Sequence, residues 1–227
     1  MAAKVHPNLA VPSLIKPPMA PPASAAAAAG GDVVLTVWRK SLLFNCRGFT
    51  VFDASGDLVY RVDSYEADSR AEVVLMDAAG VPVVTVRRKK AISSLGFGGD
   101  QWLVHPGEET RLPPLYAVKR TPQYVRGGGN GKTMAHVAPC GVALGAGAAA
   151  GGGGGYEIEG SYLRRSCAVY DARRRAVVAE VQAKEAVGTD VFRLVVRPGM
   201  EVSVAMAVVL ALDQMFGKPS LLRSWSS

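Results

Sequence analysis

The sequence has few of the residues that build disulfide frameworks and metal centres. Its only cysteines and histidines are Cys46, Cys140, Cys167, His6, His105 and His136. The cysteines are odd in number and far apart, which excludes a paired disulfide framework and a Cys-x-x-Cys metal site. The histidines show no His-x-x-x-His or Cys/His spacing. We therefore expect no metal and no other cofactor, and we expect buried free thiols in a reducing compartment.

Targeting signals are also lacking. The first residues have no unbroken apolar core behind a basic start, because prolines interrupt them at positions 7, 12, 17, 18, 21 and 22. Position 2 is not the glycine that myristoylation needs, and no prenylation box ends the chain. We expect an intracellular, cytoplasmic protein, with the plasma-membrane surface and the nucleus as further locations.

The sequence contains no complete catalytic motif. Residues 126–133 nearly match a phosphate-binding P-loop, but Arg126 stands where the first glycine belongs. A P-loop must open a helix, whereas the segment from Thr133 has the pattern of a strand. No Gly-x-Ser-x-Gly elbow occurs, and scattered Ser, His and Asp residues do not make a triad. We predict that the protein is not an enzyme, with an enzyme of unrecognised site as the weakest hypothesis.

Basic charge is the strongest lead to function. The formal net charge is +7 and the pI is near 9.5, which favours anionic partners. Arg39 and Lys40 follow the first predicted strand, and Arg87 and Lys89 share one face of another, opposite the basic residues that alternate with them. These four are our candidate ligands for a lipid headgroup or phosphoinositide. The alternative is that they keep strand edges soluble. Aromatic residues make up 7% of the chain, so nucleic-acid binding ranks lower.

Most of the chain has the sequence pattern of an antiparallel β protein. Short apolar runs at strand period predict about twelve strands, at residues 33–38, 49–52, 58–63, 73–76, 83–86, 102–104, 116–118, 135–138, 156–159, 167–170, 177–181 and 191–196. An Asp-Ala turn recurs between strands at Asp53, Asp77 and Asp171, where the aspartate can bind amides two residues on. The third copy has arginine in place of glycine, so its turn must accept a side chain.

A helix follows the last strand. Residues 201–216 are apolar on every face except for Ser203, Asp213 and Gln214, and Gly217 supplies the stop. Such a helix belongs in a core or a membrane. Its clean apolar stretch is about 11 residues, against roughly 20 for a bilayer span, so we predict a core helix inside a barrel, with a membrane anchor as the alternative.

Composition divides the chain into one domain and flexible ends. Residues 1–31 are rich in proline and alanine and are expected to be disordered. The domain covers residues 32–220 and carries a glycine-rich insertion at 141–155, expected to be a mobile surface loop. Residues 221–227 are predicted to be a flexible tail. We expect a monomer.

Several runs resemble plant LURP-one-related proteins: WRKSLLFNCRGFTVFD at 38–53, VLMDAAG at 74–80, YEIEGSY at 156–162, DVFRLVV at 190–196 and LDQMFG at 212–217. The resemblance covers nearly all of 32–217. It implies a mainly β fold, a tubby-like closed antiparallel barrel of twelve strands around the buried C-terminal helix, as in phospholipid scramblase domains. It also implies a plant origin and, through some relatives, a link to pathogen defence. The family has no established catalytic residues.

The resemblance bears on the lipid site as well. Tubby domains bind a phosphoinositide through a basic pair shortly before a Phe-Thr-Val-aromatic-Asp strand, which here is the segment 49–53. Arg39 and Lys40 precede it, although an ungapped count places the second basic position on Ser41. Two functions are therefore expected: a tubby-like binding or tethering module for phosphoinositides or anionic membranes or, alternatively, a scramblase-like protein that moves lipids with its helix in the bilayer.

Overall fold

The described part of the chain covers residues 30–43, 46–65, 72–89, 101–121, 133–140, 154–184 and 188–217 of a computed structural model. The predictions for the proline- and alanine-rich segment up to residue 29, for insertion residues 141–153 and for the tail 221–227 lie outside these ranges. Residues 126–132 of the P-loop-like segment also lie outside them, whereas the twelve predicted strands and the predicted helix lie within them.

Twelve strands close into one barrel. Each strand is antiparallel to the strands before and after it in the chain, and β1 closes the barrel by pairing with β12. The strands are β1 Val33–Trp38, β2 Cys46–Phe52, β3 Leu58–Tyr65, β4 Glu72–Asp77, β5 Pro82–Lys89, β6 Gln101–Pro106, β7 Tyr116–Arg120, β8 Thr133–Pro139, β9 Tyr156–Ser161, β10 Ser166–Asp171, β11 Val177–Ala183 and β12 Val191–Val196. The predicted mainly β barrel is confirmed. Thr133 begins a strand and not the helix that a P-loop would need, as the sequence pattern predicted.

The helix α1, Val202–Phe216, fills the barrel. All of its residues are buried except Asp213, Gln214 and Phe216, because apolar side chains on every face meet strands on every side. Glu201 stands at the N-cap and Gly217 at the C-cap, as predicted. Within the described ranges, no helix has both the length and the apolar character needed to cross a membrane. The predicted core helix is confirmed.

The strands supply the other half of the core by alternation. In β1, Val33, Leu35 and Val37 are buried while the residues between them are half-buried. Successive side chains of a strand point to opposite faces, so the buried set lines the barrel and meets α1. Leu35, Phe192 and Leu210 are among the large side chains with almost no exposed surface.

The three Asp-Ala turns lie at the end of the barrel where α1 begins. The aspartate carboxylates bind nearby amides, through the pairs Ser55 N to Asp53 Oδ1, Val81 N to Asp77 Oδ1 and Arg173 N to Asp171 Oδ1, each at 2.8 Å. The expected contact two residues on is therefore present in the first and third turns. In these turns the side chain replaces a missing backbone partner, which fixes the hairpin.

The third turn differs in its backbone. Gly56 and Gly80 have φ of 90° and 89°, a conformation that favours glycine, whereas Arg175 has φ of 52° in the third turn. Arg175 N donates to Asp171 O, one residue later than Gly56 N donates to Asp53 O, so the third turn is longer. The turn accepts a side chain, as expected, and Arg175 uses its side chain to bind outer carboxylates.

Candidate functional site

Charge is separated along the barrel axis. Odd-numbered strands end where α1 ends, and we call the loops and strand halves at this end the basic rim. Its basic residues are Arg39, Lys40, Arg47, Arg87, Arg88, Lys89, Lys119, Arg120, Arg164, Arg165, Lys184 and Arg193. Its acidic residues are Asp63, Glu72, Glu159, Asp190 and Asp213. Basic residues thus outnumber acidic ones about two to one on the described part of the rim.

At the opposite end, where α1 begins, acidic residues outnumber basic ones. Its described acidic residues are Asp32, Asp53, Asp57, Asp77, Glu108, Glu109, Glu157, Asp171, Glu201 and Glu180, which binds Arg197. Its described basic residues are Arg61, Arg111, Arg173, Arg174, Arg175 and Arg197. A charged surface approaching this protein therefore meets opposite signs at the two ends, which orients the encounter.

All four predicted ligands lie on the basic rim, in two places. Arg39 and Lys40 directly follow β1, whereas Arg87 and Lys89 lie in the last part of β5. Strands β2, β3 and β4 stand between these two pairs in the sheet. The topology therefore brings the pairs to the same end of the barrel without making them neighbours. This placement follows from the directions of the strands in the barrel, which the sequence alone does not show.

Arg39 is directed toward α1. Its Nε lies 2.9 Å from Oδ1 of Asp213, and its Nη1 lies 3.7 Å from the exposed carboxylate of Asp190. Lys40 is exposed, with its Nζ 5.2 Å above the ring centroid of Trp38. Of this pair, Lys40 is placed to meet a ligand and Arg39 ties the end of β1 to the helix.

Arg87 and Lys89 are both exposed at the end of β5. Arg87 Nη1 donates to Thr110 Oγ1 at 3.2 Å, and its Nε is 3.8 Å from Glu72. Arg88 points the other way, with its guanidinium 5.6 Å above the buried Trp102 ring. The alternation predicted from the sequence is confirmed for Arg87 and Arg88.

Ser41 occupies the position to which the tubby-like basic pair extends by an ungapped count. Its side chain is buried and its hydroxyl donates to the carboxylate of Asp63, while Leu43 N donates to Ser41 Oγ at 3.0 Å. Lys40 O accepts a 2.7 Å hydrogen bond from Thr50 Oγ1. The small hydroxyl at this position anchors the start of the loop to the barrel.

Asp213 is the centre of a polar cluster in the mouth of the barrel. Its Oδ1 accepts a 3.2 Å hydrogen bond from Tyr162 in addition to the Arg39 contact. The Arg165 guanidinium lies over the rings of Tyr162 and Phe192, at 4.2 and 4.3 Å. Burial raises the pKa of the Asp213 carboxyl, and Arg39 and Arg165 oppose that rise. Burial, followed by the Asp213 charge, raises the pKa of Tyr162 well above its usual range.

Arg120 completes the rim by capping the helix. Its Nη2 donates to Met215 O at 2.7 Å, and its guanidinium lies 4.4 Å above the ring of Phe216. The last carbonyls of a helix lack partners within it, and a cation there complements the helix dipole. The sequence places no basic residue in the last turn of α1, so this cap could be found only in the folded barrel.

A shallow groove of about 700 Å³ runs over the outside of β9, β10 and β11. Its carboxylates have arginine partners: Glu159 binds Arg175 and Glu180 binds Arg197. The Cys167 thiol at its edge has a pKa raised to about 12, by burial, which keeps it protonated near neutral pH. Within the described ranges, no cluster of His, Cys, Asp and Glu could hold a metal ion.

Comparisons with known proteins agree on one family. The model of the LURP-one-related family matches residues 33–213. Protein LURP-one-related 8 of Arabidopsis thaliana is 45% identical over 191 residues, which cover 81% of this chain and 87% of that protein. Protein LURP-one-related 17 of the same plant is 35% identical over 199 residues, covering 82% and 85%.

A solved structure supports the fold. The X-ray structure of an Arabidopsis thaliana protein superposes with a TM-score of 0.56 at 24% identity, covering 82% of this chain and 92% of that one. At this identity the likeness concerns the architecture alone. The family match over 33–213 and the identities to the curated relatives lead to one conclusion. The chain belongs to the LURP-one-related family.

Proposed function

We propose that this protein is a non-catalytic tethering module that binds anionic membrane surfaces, phosphoinositides among them, through its basic rim. The observation that carries the proposal is the separation of charge between the two ends of the barrel, with the exposed Lys40, Arg87 and Lys89 at the end where α1 ends. A tethering role needs no reacting group. It needs a surface on which charges of one sign predominate, held on a rigid support, and the closed barrel provides that support.

The magnitudes favour an oriented encounter. A Lys or Arg side chain near an anionic leaflet contributes about 1 kcal/mol. The helix of 15 residues gives the barrel a height of about 22 Å. Since the screening length at physiological ionic strength is about 8 Å, the acidic turns at the far end lie beyond the reach of a membrane touched by the rim. The basic rim therefore acts almost alone.

The cellular setting follows from the same physics. The cytoplasmic leaflet of the plasma membrane carries the anionic lipids, so we propose a cytoplasmic monomer on its inner face, with the nucleus as a second location. A role in plant defence is part of this proposal through the family resemblance. Lipid scrambling, the alternative drawn from the sequence, would require α1 to leave the strands that now surround it, and no contact described above favours that movement.

Vesicle sedimentation tests the proposal. Wild-type protein is expected to sediment with phosphatidylcholine vesicles that contain phosphatidylserine or phosphatidylinositol bisphosphate, and to remain in solution with phosphatidylcholine alone. The triple substitution Lys40→Ala, Arg87→Ala and Lys89→Ala removes about 3 kcal/mol, which is roughly a hundredfold in affinity. Binding to the anionic vesicles should also weaken as salt is added.

A matched variant at the other end serves as the control. Arg111, Arg173 and Arg174 are exposed at the end with the acidic turns, and their replacement by alanine removes the same charge. This control should keep nearly wild-type vesicle binding, since its charges face away from the membrane. Equal losses in the two triple variants, or no sedimentation of the wild type with any anionic vesicle, would refute binding through the basic rim.

A further inference from the structure

The basic rim also displays leucines to solvent. Leu42 and Leu43 follow β1 with exposed fractions of 55% and 41%, and Leu163, between β9 and β10, is 47% exposed. A leucine in a soluble protein is usually buried, and single exposed ones are unremarkable. The other end also exposes three apolar residues, Val81, Leu112 and Leu115, so the number alone is not the reason to single out the rim leucines. What distinguishes them is the excess of basic residues at their end of the barrel and the contact of both loops with Asp213.

One carboxylate oxygen holds the two loops together. Asp213 Oδ1 lies 2.9 Å from Arg39 Nε at the start of the first loop and 3.2 Å from Tyr162 Oη at the start of the second. The loop between β11 and β12 joins them, since Arg39 N donates to Asp190 O and Arg165 Nε donates to Thr189 O. The exposed leucines therefore stand on loops fixed to a common point at the end of α1.

The first loop turns its leucines outward by burying the residue before them. Ser41 is 4% exposed, and its hydroxyl binds Asp63 and the amide of Leu43. With Ser41 held inside, the next two residues project from the barrel end. Lys40 on the other side of Ser41 is exposed as well, so a cation lies beside the two leucines.

The second loop follows the same plan. Tyr162 and Arg165, its first and last residues, are 1% and 5% exposed, and Arg165 N donates to Tyr162 O at 3.0 Å. Arg165 has φ of 52°, which closes the turn tightly. The two central residues, Leu163 and Arg164, are left exposed side by side. Each loop thus presents apolar side chains next to a cation on a buried frame.

We propose that Leu42, Leu43 and Leu163 form a wedge that enters the acyl region of an anionic bilayer while Lys40 and Arg164 bind headgroups at its surface. This inference rests on the proposed membrane binding and adds the depth and orientation of the bound protein. Apolar side chains beside Lys or Arg are typical of interfacial segments, because the long cationic side chains can reach up to the headgroups. The charge of the basic rim selects an anionic bilayer as the occupant.

A set of serine substitutions tests the wedge without changing charge. The triple variant Leu42→Ser, Leu43→Ser and Leu163→Ser is compared with Val81→Ser, Leu112→Ser and Leu115→Ser, which changes exposed apolar residues at the other end. Sedimentation with phosphatidylserine-containing vesicles is measured at low salt and at high salt. At high salt, electrostatic attraction is screened, and the rim variant is expected to bind at least about tenfold less than the wild type. The control variant is expected to bind as strongly as the wild type.

A second measurement reports insertion itself. Leu163→Trp places a tryptophan in the wedge, and Leu112→Trp places one at the other end of the barrel. Vesicles with brominated acyl chains should quench the added fluorescence of the first variant and leave that of the second unchanged. Thermal unfolding of each variant is followed by circular dichroism, so that loss of binding is attributed to the surface and not to unfolding.

The outcomes separate the two proposals. If the serine variant binds like the wild type at both salt concentrations and Leu163→Trp is not quenched, the wedge is refuted, while loss of binding in the Lys40, Arg87 and Lys89 variant would still support electrostatic docking. If wild-type protein fails to bind anionic vesicles at all, both proposals fail. If the wild type instead associates with a second copy of itself, the serine variant does not, and vesicles quench neither tryptophan variant, the leucines belong to a protein interface and the wedge is overturned.

Discussion

The guanidinium of Arg39, directly after β1, lies 2.9 Å from the carboxylate of Asp213 near the end of α1. This contact joins the first strand of the barrel to the last element of the chain across the mouth of the barrel. Tyr162 and Arg165 extend it to the neighbouring loop. The same residues that pin the helix therefore set the positions of the loops on the basic rim, so the stability of the rim and its proposed binding are linked through Asp213.

Replacing Asp213 should destabilise the protein strongly. In Asp213→Ala the guanidinium of Arg39 loses the carboxylate that lies 2.9 Å away, and breaking a buried pair costs about 3 kcal/mol. Asp190 offers the matched control, since it lies 3.7 Å from the same arginine but is 64% exposed. Asp190→Ala should cost less than about 1 kcal/mol. Urea unfolding of both variants measures the difference, and equal losses would contradict the role given to Asp213.

Stability should fall in alkaline solution, in part through Tyr60. Burial, together with Glu201 and Asp77, raises the pKa of Tyr60 to about 12, whereas an unfolded tyrosine titrates near 10. The unfolded chain therefore loses this proton first, so the stabilising contribution is full below about pH 10 and is lost as the pH rises toward 12. Tyr60→Phe should show a flatter decline in urea midpoint between about pH 8 and pH 11. Parallel pH profiles for the two proteins would contradict the assignment.

The described cysteines should differ in reactivity. Burial raises the pKa of Cys167 to about 12, so near pH 8 only about one thiol in ten thousand is a thiolate. Cys140 is half-buried and should be alkylated by iodoacetamide in the folded protein. Peptide mass spectrometry is expected to find label on Cys140 first and on Cys167 only after urea is added. Labelling of both at one rate in the folded protein would show that the barrel opens near β10.

Gly48 should tolerate no side chain. A Cβ at this position of β2 would stand 1.7 Å from the backbone oxygen of Val62 in β3, so alanine would push the paired strands apart. We expect Gly48→Ala to lower the free energy of unfolding by more than about 3 kcal/mol. Gly107→Ala is the comparison, because Gly107 has φ of +59° and open space around it, and backbone strain alone costs about 1 kcal/mol. Similar urea midpoints for the two variants would contradict the close approach of β2 and β3.

The sequence shows no partners across the barrel, so it could not distinguish the surroundings of the four candidate ligands. Lys40, Arg87 and Lys89 are exposed, as a surface site requires. Arg39 looked equivalent to Lys40 in the sequence, yet Asp213 draws it to the helix. The sequence does not predict that the leucines of the basic rim are exposed, since an apolar residue in a short loop is indistinguishable from a core residue until its burial is known. Strand directions alone decided that both basic pairs lie at one end.

The sequence by itself determined the elements and their inner faces. An apolar pattern on every face of α1 requires burial on every side, and alternation along β1 selects Leu35 and Val37 for the interior, because these patterns are local consequences of side-chain periodicity. Tertiary structure alone decided what meets at the mouth of the barrel. Asp213, Arg39 and Tyr162 are far apart in the chain and come together only when β1 closes on β12 around the helix. Contacts of that kind depend on chain closure, which no local pattern encodes.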